Sequence, residues 1–576
     1  MKAPNARLSL AATALAALLL AAPAPALAAA SDGARGGHQP GTSHLGNYLA
    51  GRHAQVMRDL DAAAVYLGAA LANDGGSENL LRRTFLVLVS DGEVEKAIPL
   101  ARRVIEVRQE DAIAFLTLTV AAFADGDYGQ VGVYLDRLDG AGFGQFFRPL
   151  FASWARVGEG DTDAALAALE PLGADNGTRA LHDTHAALIN ALDGRFDQAI
   201  DLMVRVMELQ GGFSLRTTEL LGGVYEAAGD VRSAEAIYNG FLGQYPDSRL
   251  MRTPLKRLAD GDTVPLPVTN AAEGVAEALF GVASSFDQQN APETALILAQ
   301  LANYLRPGFP PLQLMTGNLI EHLYGAEQAN DVLGAIDPES DYAWSADLRR
   351  AANFADLGQI EEAEGLLRNL AARDPSSPDP MIDLGDLYRS EARFGDAVDA
   401  YDAAFERIGE PQARFWSLHY ARGIALERDD QWERAEADFL QALAYEPDQA
   451  LVLNYLGYSW LELGINLERA LDMIRKAVDL RPNDGYIIDS LGWAFYRLGR
   501  WEDAVRELER AVERRPEDPI INDHLGDAYW KVGRFREARF QWRRSLSLEP
   551  EEELIPVIEK KITDGLPADK DGGTDS

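Results

Sequence analysis

Small residues recur along this chain at one fixed point of an apolar–polar helical pattern: Ala62, Ala97, Val131, Ala165, Ala199, Ala234, Ala295, Ala329, Ala363, Ala397, Ala435, Ala470, Ala504 and Ala538. The intervals are 35, 34, 34, 34, 35, 61, 34, 34, 34, 38, 35, 34 and 34 residues, so nearly everything after the N-terminus is one short unit repeated. The unit is clearest from Gly485, GYIIDSLGWAFYRLGRWEDAVRELERAVERRPED, and from Pro519, PIINDHLGDAYWKVGRFREARFQWRRSLSLEPEE, each 34 residues long. Each block predicts two amphipathic helices. In the first, Leu491, Gly492 and Phe495 mark one helix, Gly499 closes it, Ala504, Leu508 and Ala511 mark the next, and Pro516 stops it. In the second, Leu525, Gly526, Tyr529, Gly533, Ala538, Trp542 and Pro550 take the same places.

Close packing of a helical hairpin explains the pattern. A glycine in the first helix and an alanine in the second let two backbones approach, while larger residues one turn away fill the remaining core. A leucine at Ala504 is expected to overfill that crossing, at about 1–3 kcal/mol.

These residues resemble the tetratricopeptide repeat, a 34-residue helix-turn-helix unit with an L-G, Y, A, F and P pattern. The resemblance covers roughly residues 43 to 552 and is uneven: the block around Val131 has Thr119 where glycine is usual and lacks the terminal proline. It implies an all-α fold, a right-handed superhelical solenoid of about 14 helix-turn-helix repeats in two arms. The prior from length alone, three or four domains, is overruled, because a solenoid buries one continuous core between neighbouring units.

The long interval between Ala234 and Ala295 divides the array. We expect an N-terminal array over residues 43–248, a proline-containing linker over 249–273 and a C-terminal array over 274–552. Pro254, Pro265 and Pro267 deny the linker a long helix. It reads as a hinge between the arms, with an ordered strap packed on the preceding groove as the alternative. A capping helix is expected over 553–564 and a polar tail over 565–576.

At the N-terminus, Lys2 and Arg7 precede an apolar run from Leu8 to Ala22, with small residues at Ala26, Ala28, Ala29 and Ala30. Residues 1–30 read as a secretory signal peptide, and 31–42 as a flexible glycine-rich leader. The expected location is the bacterial periplasm, peripheral to the outer membrane only through a partner. The chain has no cysteine, which removes disulfides, thiol chemistry and the lipid-accepting cysteine of a direct anchor. The formal charge of −36 argues against nucleic acid as a partner. Arginines from Arg497 to Arg544 leave the C-terminal repeats the least acidic part.

Candidate chemistry is sparse. His182-Asp183-Thr184-His185 puts two imidazoles three residues apart, but no further ligand is fixed nearby, and no metal is expected. His419 and His524 fall on first helices of their repeats, where a packed or groove-lining ring is the ordinary outcome. Phosphate loops, zinc-protease helices and nucleophile elbows are missing from the sequence. The reading is therefore no enzyme and no cofactor.

The expected working surface is the concave groove lined by first helices. Its candidate residues are Tyr420, Asn454, Tyr458, Tyr486, Asp489, Trp493, Tyr496, Asp523, Asp527 and Trp530, together with Ile424 and Leu461. Aromatic rings beside amides and carboxylates suit an extended peptide or a partner helix. Tyr420 with Ile424, Asn454 with Tyr458, Asp489 with Trp493 and Asp523 with Asp527 stand where carboxylate-clamping repeats carry Lys and Asn, so a carboxylate clamp is not expected.

The segment from Asn454 to Val505 also resembles the C-terminal repeats of outer-membrane adaptor lipoproteins that serve carboxyl-terminal processing proteases. That resemblance implies an adaptor bringing a protease to envelope proteins, although the lipid-accepting cysteine is missing. The competing reading is assembly or secretion of envelope components, outer-membrane protein or exopolysaccharide. Less favoured is an enzyme with a site in the groove or linker. Partners are expected to be envelope proteins or peptides; their identity and the oligomeric state are open.

Overall fold

The computed structural model describes residues 38–73, 76–138, 144–246, 248–262, 265–410 and 412–567. The expected signal peptide and most of the expected leader and tail lie outside them. Every regular element among the described residues is helical, and successive helices form pairs joined by short turns. Each of the fourteen marked small residues lies in the second helix of a pair. All are buried, thirteen of them with no exposed surface and Ala62 at 4%.

The glycines of the first helices show why the register is rigid. A Cβ on Gly492 would lie 2.5 Å from Leu508 Cγ, and one on Gly526 would lie 2.5 Å from Trp542 Cδ1. The glycine thus makes room for the large side chain one turn after the buried alanine. At Gly457 a Cβ would lie 2.8 Å from Ile474 Cγ1 and would also meet backbone itself, the Ala470 carbonyl at 3.0 Å. Thr119 fits the same place because its hydroxyl donates to the Phe115 carbonyl at 2.8 Å, which leaves no unpaired polar group in the core.

The turn after each first helix needs a left-handed residue. Gly499 and Gly533 supply it at φ 72° and 79°, where glycine is unstrained. Ala392 and Asp430 occupy the same turn position at φ 55° and 58°, against the steric preference of any residue with a Cβ.

The chain divides into two compact units after Leu366, not at the expected linker. The cause is the hairpin formed by helices Ala271–Gln288 and Pro292–Leu305. Residues Thr294 to Ala302 are buried without interruption, so this helix has no polar face to give to water and must be covered all round. It packs on the first helices Glu78–Ser90 and Ala112–Ala124, while Ala271–Gln288 packs on Ala112–Ala124, Gly144–Gly158 and Arg179–Leu192. Those first helices meet it with apolar side chains. Leu86, Val120, Trp154 and Leu188, each one place after the usual glycine position, are exposed by 8%, 0%, 0% and 2%. The groove of the first unit is therefore filled by its own chain.

Polar contacts fix how the hairpin lies. Glu277, 4% exposed, accepts from Arg216 Nε at 2.8 Å and Nη2 at 2.5 Å, with Arg306 Nη1 at 4.0 Å. Gln300 donates to the Ser90 carbonyl at 3.1 Å; outside the hairpin, Tyr342 donates to Glu219 at 2.6 Å, and Glu219 also accepts from Arg216. Gly274 lies on Trp154 so closely that a Cβ would be 2.3 Å from the indole. Beneath it, Trp154 Nε1 donates to His185 Nδ1 at 3.2 Å. Burial lowers the pKa of that imidazole to about 4, so it stays neutral and free to accept.

The described residues of segment 249–273, 249–262 and 265–273, pack on neighbouring helices, as in the strap alternative to the favoured hinge. The segment contains the helix Arg252–Asp260, closed by Gly261 in the left-handed region. Pro254 falls in the first turn of that helix, where no helical hydrogen bond is lost. Thr253 donates to Asp341, and the Arg249 guanidinium lies 3.8 Å from the Trp344 ring centroid. Pro267 covers Gly223, where a Cβ would lie 2.6 Å from its ring.

Stability should respond in two measurable ways. Ala392→Gly should raise the unfolding free energy by about 1 kcal/mol, the left-handed strain less the extra freedom of an unfolded glycine, as read by urea titration. His185 titrates near its ordinary 6.5 when unfolded and at about 4 when folded. Between those values the unfolded chain binds the extra proton, so stability falls as pH drops from 6.5 toward 4. The loss should reach about 3 kcal/mol. Denaturant midpoints across that window should show it, and His185→Gln should flatten the slope.

Candidate functional site

In the second unit the first helices Trp416–Arg428, Ala450–Leu463, Gly485–Arg497 and Pro519–Lys531 present the expected groove residues. Trp493 holds the same register place as the buried Trp154, one position after the glycine, yet it keeps part of its surface exposed. Its ring stacks on His524 with centroids 4.0 Å apart and on Tyr496 at 4.7 Å. Its Nε1 donates to Glu462 Oε1 at 2.8 Å, and Glu462 also accepts from Arg497 Nη1 at 3.1 Å. Three successive hairpins are locked together by this cluster.

Asp489, 7% exposed, faces His524 Nδ1 at 3.0 Å. Burial opposes charge on His524, but the carboxylates of Asp489, Asp523 and Asp527 outweigh it and raise its pKa. Tyr458 is half-buried, and burial with Glu462 and Asp489 nearby pushes its phenol above the ordinary range, which keeps it a neutral donor. The Asn454 side-chain carbonyl is buried and has no hydrogen-bond partner. Tyr420, also half-buried, packs edge-on against Tyr455 at 6.0 Å, whose hydroxyl donates to Glu427 at 3.0 Å. Tyr486 is 52% exposed, with the Arg515 guanidinium 5.1 Å above its ring.

The last three candidates are placed differently from expectation. Asp523, Asp527 and Trp530 are covered by the chain's own terminal helix, Ile555–Asp564. Lys561 Nζ donates to Asp523 Oδ2 at 2.6 Å and to Asp527 Oδ2 at 2.9 Å. Gly565 lies on the Trp530 ring, where a Cβ would be 2.0 Å away.

Sequence reasoning missed Glu462, Tyr455 and the partnership of His524. A signal existed: Asp489 with His524, and Glu462 with Arg497, are each 35 residues apart, one repeat of the array, so complementary charges at that spacing face across adjacent first helices. The two imidazoles of residues 182–185 do not converge. His182 pairs with Asp183 at 2.8 Å while His185 accepts from Trp154. His419 is tied to Asp438 at 2.7 Å. Among the described residues no group of three or more His, Cys, Asp or Glu is arranged to hold a metal ion, and no helix is long and apolar enough to cross a membrane. What the surface offers is aromatic area and phenol donors, a set suited to recognition.

Comparison with known proteins agrees with the repeat. A tetratricopeptide-repeat family model matches residues 348–411, 420–485 and 490–551, and a second matches 220–248. The chain is 31% identical over 195 residues to a TPR repeat-containing protein of Pseudomonas aeruginosa, covering 33% of this chain and 32% of that one. It is 35% identical over 91 residues to a lipoprotein NlpI homolog of Haemophilus influenzae, covering 16% and 29%. The chain thus spans about a third of the length of the curated relatives it matches. Among solved structures, the APC/C hetero-tetramer Cut9–Hcn1 is 15% identical with a TM-score of 0.36, over 90% of this chain and 96% of that one. YrrB, described as a TPR protein with an unusual peptide-binding site, is 18% identical with a TM-score of 0.27, over 34% and 97%.

Fold and repeat define the class, an all-α solenoid of helical hairpins. The chain carries tetratricopeptide repeats over residues 220–248, 348–411, 420–485 and 490–551, and that fold serves protein–protein interaction.

The Asp489–His524 pair is directly measurable. An NMR titration should place the His524 pKa above 6.5, and Asp489→Asn should lower it markedly, because burial then loses its main counterweight.

Proposed function

We propose that this chain is a non-enzymatic scaffold of the bacterial periplasm that holds a partner protein or peptide in the groove of its C-terminal unit, acting as an adaptor for a carboxyl-terminal processing protease. The observation that carries the binding reading is the contrast at one register place. Leu86, Val120, Trp154 and Leu188 are buried under the chain's own hairpin, whereas Ile424, Tyr458 and Trp493 keep exposed surface. Tyr458 and Trp493 offer partly exposed rings, so a bound segment gains apolar burial there.

The protease-adaptor role rests on the resemblance of residues 454–505 to adaptor lipoprotein repeats, and the similarity to a lipoprotein NlpI homolog supports the envelope reading. The export reading rests on Lys2 and Arg7 followed by the apolar run to Ala22. Without cysteine, attachment to a membrane passes through a partner.

Affinity purification from the periplasm tests this. Wild-type protein should capture a carboxyl-terminal processing protease, and Tyr458→Ala with Trp493→Ala should lose it, each costing about 2 kcal/mol, or roughly thirtyfold in affinity. Capture that survives both changes would remove the groove from the account. Capture of outer-membrane protein precursors or exopolysaccharide machinery in place of a protease would move the role to envelope assembly. Turnover of a peptide or glycan by the purified chain alone would overturn the scaffold reading.

A further inference from the structure

The face of the last hairpin is built like a binding site, and its occupant comes from the same chain. Trp542 Nε1 donates to Asp527 Oδ1 at 2.8 Å and so aims the other oxygen of that carboxylate at Lys561. Asp523 gives one oxygen to the same ammonium at 2.6 Å, while its second oxygen, Oδ1, is buried with no hydrogen-bond partner. A lysine is a point charge and leaves that acceptor empty. A guanidinium, with its planar fork of donors, can serve several acceptors at once. The site is thus better matched to an arginine than to the residue that fills it.

The occupant is also lightly held. Helix Ile555–Asp564 has 10 residues, of which only Ile558 is buried, and its Ile562 carbonyl accepts from Arg539 Nε at 3.0 Å. So short a helix is marginal without its packing and belongs to the low-stability end of a fold. The filled groove of the first unit uses the same device. There Gly274 lies on Trp154 and Glu277, one turn on, enters a pair with Arg216. Here Gly565 lies on Trp530 and Lys561, one turn before, enters Asp523 and Asp527.

The geometry points to the Asp523–Asp527–Trp530 face as a docking site for a partner helix carrying an arginine with a glycine one turn later, the terminal helix Ile555–Asp564 being a displaceable internal occupant. This goes beyond the upstream groove reading and does not depend on it, since Tyr458 and Trp493 take no part. Closed, the helix keeps the acidic face covered. A partner presenting arginine displaces it by satisfying the Asp523 oxygen that Lys561 leaves unpaired.

The test uses the full chain and synthetic peptides of residues 553–566 bearing Lys, Arg or Glu at position 561. Binding is followed by fluorescence anisotropy up to about 1 mM, the effective concentration a short tether supplies. Wild-type chain should bind the lysine peptide at least tenfold more weakly than the Lys561→Glu chain, whose own helix is released. On the released chain the arginine peptide should bind at least threefold tighter than the lysine peptide, and the glutamate peptide at least tenfold more weakly. Ile558→Asp releases the helix by a second route and should behave alike, with circular dichroism and melting of both variants reporting an intact fold. In the released chain Asp523→Asn should abolish the preference for arginine. Equal binding of all three peptides to the released chains, or none at all, overturns the proposal, and so does wild-type chain binding as well as the released ones. Failure here leaves partner capture through Tyr458 and Trp493 untouched, so the two readings fall separately.

Discussion

Everything in this molecule depends on how closely the two helices of a hairpin approach. At Gly492 and Gly526 there is no room for a Cβ, and Ala504 and Ala538 opposite them are fully buried. A crossing that tight fixes rotation as well as distance, because turning the first helix by one residue would drive a side chain into Leu508 or Trp542. Rotation in turn decides which residue of each first helix faces the groove. The residue after the glycine has its direction set by packing on the far side of the helix, so the recognition surface is a by-product of the core.

That constraint makes the two halves of the array comparable place by place. Trp154 and Trp493 occupy one register position, and their fates differ because of what the chain supplies to cover them. The first unit supplies the hairpin from Ala271 to Leu305, apolar on nearly every face. A segment of that kind is costly to leave in water, at about 25 cal/mol for each Å² of apolar surface, so it occupies the groove permanently. The second unit supplies only the terminal helix, with one buried side chain. Most of its groove keeps partly exposed aromatic and amide groups. A single repeat therefore yields a filled, structural groove and an open one, according to the hydrophobicity of the segment that succeeds it in the chain.

The repeat itself was legible because its determinants are local. Glycine, alanine, turn glycine and proline act within 34 residues, and their phase survives even where Thr119 replaces the glycine. The turn position was legible too, although Ala392 and Asp430 hold it without being glycine. The fold-back was not, since Ala271–Leu305 keeps the spacing of an ordinary repeat and differs only in carrying apolar residues on the outer face. Periodicity finds the inner stripe and says nothing of a missing polar one; the almost wholly apolar stretch ALILAQLA from Ala295 to Ala302 was the available sign. Of the site, the half-exposed rings of Tyr420, Tyr458, Trp493 and Tyr496 follow from register. The covering of Asp523, Asp527 and Trp530 depends on Lys561 and Gly565, residues beyond the repeat whose partners no spacing rule assigns.

The buried charges then take on a specific meaning. Arg216 with Glu277, and Lys561 with Asp523 and Asp527, stand where a segment from outside the local repeat enters a groove. Replacing such pairs with apolar residues often leaves stability unchanged or improved, so net stability does not account for them. An apolar groove accepts a helix in many registers, because burial is nearly indifferent to sliding by a turn. A charge that must find its counter-charge is not indifferent, since every shifted register leaves it desolvated and alone. In a chain of formal charge −36, anionic groove positions are easily come by and buried cations are scarce. Where a segment lies in the grooves of this protein is accordingly set by a few cations, with the glycine on tryptophan contact fixing how deep it sits.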